Sequence, residues 1–157
     1  IKYKNMAARF PEAELIVREF CIRQLSLPEL KTKKAMLRWF ALATGLISRN
    51  ETRSKILTTL EAVFLLLKKK AFTNEKELQR FIKEKFSVRI SQRLLNYHLQ
   101  KIEGIGLIAR KRNRIEIAPS MQEKSFANAF EENFIADAKR AMESIKKRLE
   151  ELEERYV

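Results

Sequence analysis

Apolar residues recur at intervals of three and four along most of this chain, the spacing that places them on one face of a helix. Over residues 11–25, Ala13, Ile16, Val17, Phe20 and Cys21 follow it, with Pro11 suited to a first turn, so an amphipathic helix is predicted. Ser26-Leu27-Pro28-Glu29 then has the form of a capping box and predicts the start of a second helix. That helix carries Ala35-Met36-Leu37 and Trp39-Phe40-Ala41-Leu42-Ala43, is apolar on nearly every side, and needs cover from other helices or from a second subunit. Trp39 is expected to be a core or interface anchor.

Ser48-Arg49-Asn50-Glu51 is another capping-box match, ahead of a stripe made by Ile56, Leu57, Leu60, Val63, Phe64 and Leu67. Lys68-Lys69-Lys70 closes that helix, where cations suit the negative end of the dipole. A short helix through Phe86 follows, capped by Thr73 or Asn74 and facing inward with Leu78, Phe81, Ile82 and Phe86. After a break at Ser87-Val88-Arg89-Ile90, Ser91 is placed to cap a further helix. Its Leu94, Leu95, Leu99 and Ile102 face the core, and Gln92, Arg93, Asn96, Tyr97, Gln100 and Lys101 point outward. Gly104 or Gly106 ends it. Residues 107–110 and 115–118 then read as two short strands around the charged tip Lys111-Arg112-Asn113-Arg114, and Pro119 stops the second.

The order helix, helix, helix, basic hairpin, together with the stretch Leu95-Asn96-Tyr97-His98-Leu99-Gln100-Lys101-Ile102-Glu103-Gly104-Ile105-Gly106-Leu107-Ile108, resembles the winged helix-turn-helix family of transcription regulators over residues 53–119. The resemblance implies that the outward face of residues 91–101 enters the major groove of double-stranded DNA. Gln92, Arg93, Asn96 and Tyr97 would meet base edges, where Gln and Asn pair with adenine and Arg with guanine. Ser91 and Lys101, with the hairpin residues Arg110, Lys111, Arg112, Asn113 and Arg114, would hold the backbone. His98 matches a position often occupied by His in one branch of these regulators; a lone His beside Leu99 is expected to be structural. Gly45-Leu46-Ile47 echoes Gly106-Leu107-Ile108, but no basic hairpin follows Ile47, so one winged helix is expected rather than two.

From 121 to 156 there is neither Pro nor Gly, and Ala138, Met142, Ile145, Leu149, Leu152 and Tyr156 advance by alternating fours and threes, which is heptad spacing. With Phe126, Phe130 and Phe134 upstream, the stripe predicts a helix of about 35 residues and roughly 50 Å, too long for a small domain to cover. A homodimer seam through these residues is the expectation; folding back onto the chain's own N-terminal helices is the alternative. A two-fold dimer would set its recognition helices roughly 34 Å apart on one face of a duplex and read a near-palindromic site.

The expected fold is therefore mainly α with one small β-hairpin: an N-terminal helical segment (1–50), a winged helix domain (51–120) and a long C-terminal helix (121–157). Charge sharpens this division. The chain of 157 residues has a net charge of +13, and the three segments carry +6, +9 and −2, so the basic surface lies away from the last helix. Such an imbalance implies a polyanionic partner. No apolar run approaches the roughly 20 residues needed to span a bilayer, and the first residues lack the apolar core of a signal peptide, which leads to the expectation of a soluble, cytoplasmic protein with no membrane partner. One Cys, one His and one Asp in the whole chain leave no material for a Cys/His metal cluster or a familiar His-based triad, and no phosphate-binding glycine loop is present. No metal, no cofactor and no catalysis are expected. With no ligand-binding domain visible, the sequence suggests a constitutive repressor; architectural, replication or plasmid-partition DNA binding, or a winged helix that binds protein, is the alternative.

Overall fold

The computed structural model describes residues 30–51 and 54–156. The helix expected over 11–25 and the capping box at 26–29 lie outside the described residues. The first helix described, α1 (Lys33–Ala43), starts later than the sequence suggests: Leu30 and Lys31 are not helical, and Thr32 is the cap, its hydroxyl accepting from Ala35 N at 3.1 Å. Trp39 and Phe40 are both half-buried, and Phe40 packs on the core and meets Phe130 edge-on at 5.9 Å.

Ser48 and Glu51 do interact, but not as a helix start. Ser48 N donates to the Glu51 carboxylate at 3.2 Å and Glu51 N to Ser48 O at 3.1 Å, closing a turn that Arg38 braces by donating to Glu51 O at 3.0 Å. The next helix, α2 (Lys55–Lys69), begins only after Ser54, whose hydroxyl accepts from Ile56 N. The carboxylate half of a capping box serves any tight turn; only an oxygen at the actual cap position starts a helix.

β1 (Phe72–Thr73) follows, then α3 (Glu75–Phe86), α4 (Gln92–Gly104), β2 (Ile108–Lys111) and β3 (Arg114–Ile117). Asn74 caps α3 by accepting from Glu77 N at 2.9 Å, and the helix has Glu75 and Glu77 in its first turn and Lys83 and Lys85 in its last, the arrangement its dipole favours. The antiparallel sheet has the order β1-β3-β2, with Thr73 opposite Ile115 and Ile108 opposite Ile117. The described residues thus run helix, strand, helix, helix and hairpin, with the short strand on the far side of β3, and the fold is mainly α with a small antiparallel sheet. The third strand is absent from the sequence reading because two residues are too few to show an alternation.

The core sits where α2, α3 and α4 meet over the sheet. Leu60, Leu78, Ile82, Leu95, Leu99, Ile102, Leu107, Ile108 and Ile115 are fully buried there, each such burial stabilising the fold by about 1.5–3 kcal/mol. The last helix, α5 (Phe126–Arg155), is capped by Ser125 accepting from Asn128 N at 3.1 Å. Residues 121–124, expected to be helical, form bends instead, and Glu132 holds them against α5 by accepting from Met121 N at 2.7 Å and Gln122 N at 3.2 Å.

The base of α5 packs on its own chain. Phe126 meets Phe64 edge-on at 4.5 Å, Ala129 is fully buried, and Phe130 meets Phe40. Phe126 and Phe130, expected in a dimer seam, are thus covered within the chain, and Phe134 stacks on Phe130 at 6.2 Å. Ala138, Met142, Ile145, Leu149 and Leu152 project beyond the module and are exposed.

Candidate nucleic-acid interface

The 3.6-residue period of α4 divides its side chains sharply. Leu95, His98, Leu99 and Ile102 are buried; Gln92, Arg93, Asn96, Tyr97 and Gln100 are exposed on the other face, with Lys101 half-buried. Ser91 is the cap, its hydroxyl accepting from Leu94 N at 3.2 Å, and Gly106, with φ of 83°, makes the turn into β2 that a residue with a Cβ adopts only under strain. The turn before α4 is held from two sides. Gln79 Nε2 donates to Ile90 O at 2.6 Å and Lys55 Nζ donates to Arg89 O at 3.3 Å.

His98 is 4% exposed, with Nδ1 2.8 Å from Thr59 Oγ1. Burial first, then the charges of Lys101 and Lys55, push its pKa down to about 4, so the ring is neutral at physiological pH and adds no charge to the outer face. This matches the structural role expected for it.

The outward residues are not equally available. Gln92 donates to the Glu75 carboxylate, and Asn96 Oδ1 accepts from Arg110 Nη1 at 3.4 Å. Arg110, expected on the hairpin's DNA-facing side, is turned into the molecule. Its Nε donates to Glu103 Oε2 at 3.0 Å, its backbone N donates to Glu103 Oε1 at 3.1 Å, and Nη1 lies 3.7 Å from Glu75 Oε1. One guanidinium thus joins β2, α4 and the start of α3, and Arg110 fixes the hairpin against α4. Arg93 and Tyr97 keep their outer surfaces, Tyr97 being 52% exposed with Lys101 Nζ 5.1 Å from its ring centre.

At the tip, Lys111 opposite Arg114 leaves a two-residue turn, Arg112-Asn113. Arg112 has φ of 56°, a left-handed conformation that costs a non-glycine residue about 1–2 kcal/mol. Arg114 lays its guanidinium over the Phe72 ring at 3.8 Å, and Lys111 lies 3.8 Å from Glu116 while remaining mostly exposed.

Two depressions border the N-terminal end of α4. One lies between the hairpin tip and the helix starts, with Phe72, Asn74, Lys76, Gln92, Asn113 and Arg114 on its walls together with one acid, Glu75, which is engaged by Gln92 and Arg110. The other is an open groove of about 550 Å³ lined by Lys76, Gln79, Arg80, Lys83, Arg89 and Ile90, four cations and no acid. Lys76 belongs to both and joins them into one track in which five cations stand against the single acid Glu75. Sequence reasoning missed Lys76, Arg80, Lys83 and Arg89. The signal was present, since 76, 80 and 83 follow helical spacing on the polar face of α3.

Among the described residues no group of three His, Cys, Asp or Glu side chains is arranged to hold a metal ion, and no helix is long and apolar enough to cross a membrane. Comparison with family models, curated proteins and solved structures finds no match to this chain.

Proposed function

We propose that the chain is a double-stranded DNA-binding protein in which the outer face of α4 lies in the major groove while the hairpin tip and the track along α3 hold the backbone. The observation that carries this reading is the continuity of the basic track through Lys76: it runs from Arg114 at the tip to Arg80, Lys83 and Arg89, and it borders the helix end at which winged helix proteins meet base edges. Arg93 and Tyr97 are the foremost base-contacting residues, with Gln92 and Asn96 beside them. Arg112, Asn113, Arg114 and Lys111 act on phosphates. The net charge of +9 on residues 51–120 supports a polyanionic ligand. In the cell such a module acts as a dimeric transcription regulator, a constitutive repressor being the simplest form.

A second reading has a specific observation in its favour. Gln92 and Asn96 are engaged within the chain, which reduces the number of free base readers and suits sequence-blind, architectural binding. Titration against random duplex and against a selected-site library, at several salt concentrations, separates the two. Each phosphate contact steepens the log-log salt dependence by about 0.9. Enrichment of a two-fold site supports the regulator, salt-sensitive binding without enrichment supports the architectural protein, and no salt-sensitive binding to duplex refutes the proposal.

A further inference from the structure

Beyond the module, α5 continues as a solvated helix with one apolar stripe. Ile135, Met142, Ile145, Leu149, Leu152 and Tyr156 are between 44% and 88% exposed, and Ala138 fills the remaining step of the three-four alternation. These six are most of the ten large apolar side chains left exposed among the described residues. Scattered exposure of single apolar residues is ordinary, but concentration on one stripe of average spacing 3.5 is the mark of a helix-pairing seam. The structure also separates this seam from the phenylalanine ridge. Phe126 and Phe130 turn toward α1 and α2, and the seam begins at Ile135, a residue the sequence reading left out.

With the seam located, the residues beside it can be assigned. Ile135, Met142, Leu149 and Tyr156 occupy one set of equivalent positions and Ala138, Ile145 and Leu152 the other. Lys139, Lys146 and Glu153 then flank the seam on one side, with Ala141, Arg148 and Arg155 on the other. In a parallel pair, each residue of the flank Ala141, Arg148 and Arg155 faces the position five further along its partner, in the flank Lys139, Lys146 and Glu153. Arg148 then faces the partner's Glu153, twice by symmetry, Ala141 faces Lys146, and no like charges meet. In an antiparallel pair aligned to cover the stripe, Lys146 lies beside Lys146 and Arg148 beside Arg148, and these two repulsions offset the attraction of Lys139 for Glu153, which also occurs twice by symmetry. Arg148 now reaches Glu151 on its own helix, an exposed pair that swings over readily.

We infer that two copies of this chain pair through α5 as parallel, in-register helices, with Arg148 of each facing Glu153 of the other. The inference rests on the dimeric part of the function proposed above. It adds a direction: both winged helix modules stand at the same end of the helix pair, where they can address one duplex together.

Single-cysteine versions of the full chain test it. Met142→Cys and Leu152→Cys, each in a Cys21→Ser background, are expected to form disulfide dimers separately on mild oxidation. If a disulfide forms only when the two variants are mixed, the pair is antiparallel and the inference is overturned while the dimer stands. A monomer by sedimentation, with neither variant linking, overturns the dimer itself. Charge exchange provides the second test: Glu153→Arg should raise the dimer dissociation constant about tenfold, and adding Arg148→Glu should restore it. A double variant no better than the single one also overturns the parallel arrangement. Failure of the DNA reading is seen separately, as a parallel dimer that shows no salt-sensitive binding to duplex.

Discussion

The imidazole Nδ1 of His98 lies 2.8 Å from the hydroxyl oxygen of Thr59, and through this buried pair α4 is hydrogen-bonded to α2. The pair makes stability depend on pH in a defined window. Folding lowers the His98 pKa from 6.5 to about 4, so between those values the unfolded chain takes up a proton that the folded chain does not. Stability is therefore full above pH 6.5 and falls as pH drops toward 4, by on the order of 2 kcal/mol. Glu77, held below the usual carboxylate range first by its hydrogen bond from Lys70, loses its contribution only at still lower pH. Urea unfolding at pH 7 and pH 4.5 should show the loss in the parent chain and little of it in the His98→Leu/Thr59→Val variant. An equal loss in both would dismiss His98 as its source.

Arg110 and Arg112 are two residues apart, yet they should behave differently. Arg110→Ala removes the contacts to Glu103, Glu75 and Asn96 and should destabilise the fold by about 1 kcal/mol, a modest value because the ion pairs are partly solvated. Arg112→Ala breaks no contact of this kind; its melting temperature should stay at the parent value while affinity for every duplex falls alike. Thermal melts alongside binding isotherms decide the matter. A destabilised Arg112→Ala protein with unimpaired DNA binding would reverse the assignment.

The difference between those two arginines marks what the sequence could and could not reveal. The caps of α3 and α4 and the buried face of α2 were legible because each rests on a short-range pattern: Ser91 three residues before Leu94, Asn74 three before Glu77, and the stripe from Ile56 to Leu67. The hairpin was legible from two short apolar stretches around a charged tip. Contacts between distant residues were not. Nothing local in Arg110 distinguishes it from Arg112 or Arg114; its partner Glu103 is brought to it by the turn at Gly106. The strand Phe72–Thr73 is visible only once β3 lies beside it. Likewise Phe126, Phe130 and Phe134 merged with the heptad stripe in sequence, because a straight helix drifts relative to a 3.5-residue repeat and only packing shows which side each residue takes.

The tip itself offers a trade of stability against binding. Arg112 is the first central residue of its two-residue turn and has φ of 56°, a position where glycine is unstrained. Arg112→Gly should raise stability by about 0.5–1 kcal/mol while weakening DNA binding as much as Arg112→Ala does. Denaturant midpoints and affinities of the two variants, compared side by side, test this. A glycine variant less stable than the alanine one would show that the turn is not strained.

On the outer face of α4, the proposed function makes Arg93 a stronger reader of bases than Asn96, because Asn96 already accepts from Arg110. Arg93→Ala should weaken binding to a selected site by about 1–3 kcal/mol and relax preference at one base position, leaving random duplex little affected. Asn96→Ala should have a smaller effect on selectivity and should also loosen Arg110. Equal losses on selected and random DNA for Arg93→Ala would assign it to the backbone.

The basic track makes the most quantitative prediction. Lys76, Arg80, Lys83 and Arg89 are exposed and line one groove that has no acid on its walls, so each is placed to neutralise a phosphate. A cation that does so releases condensed counterions when DNA binds, and its removal should lower the slope of log affinity against log salt by about 0.9. Arg80→Ala and Lys83→Ala together should therefore flatten the slope by about 1.8, with base preference unchanged. Lys68 and Lys69, exposed at the end of α2 and outside the groove, serve as the control, since alanine there should leave the slope nearly as it was. If both pairs flatten it equally, the effect is one of net charge alone, and the track along α3 is not where the backbone lies.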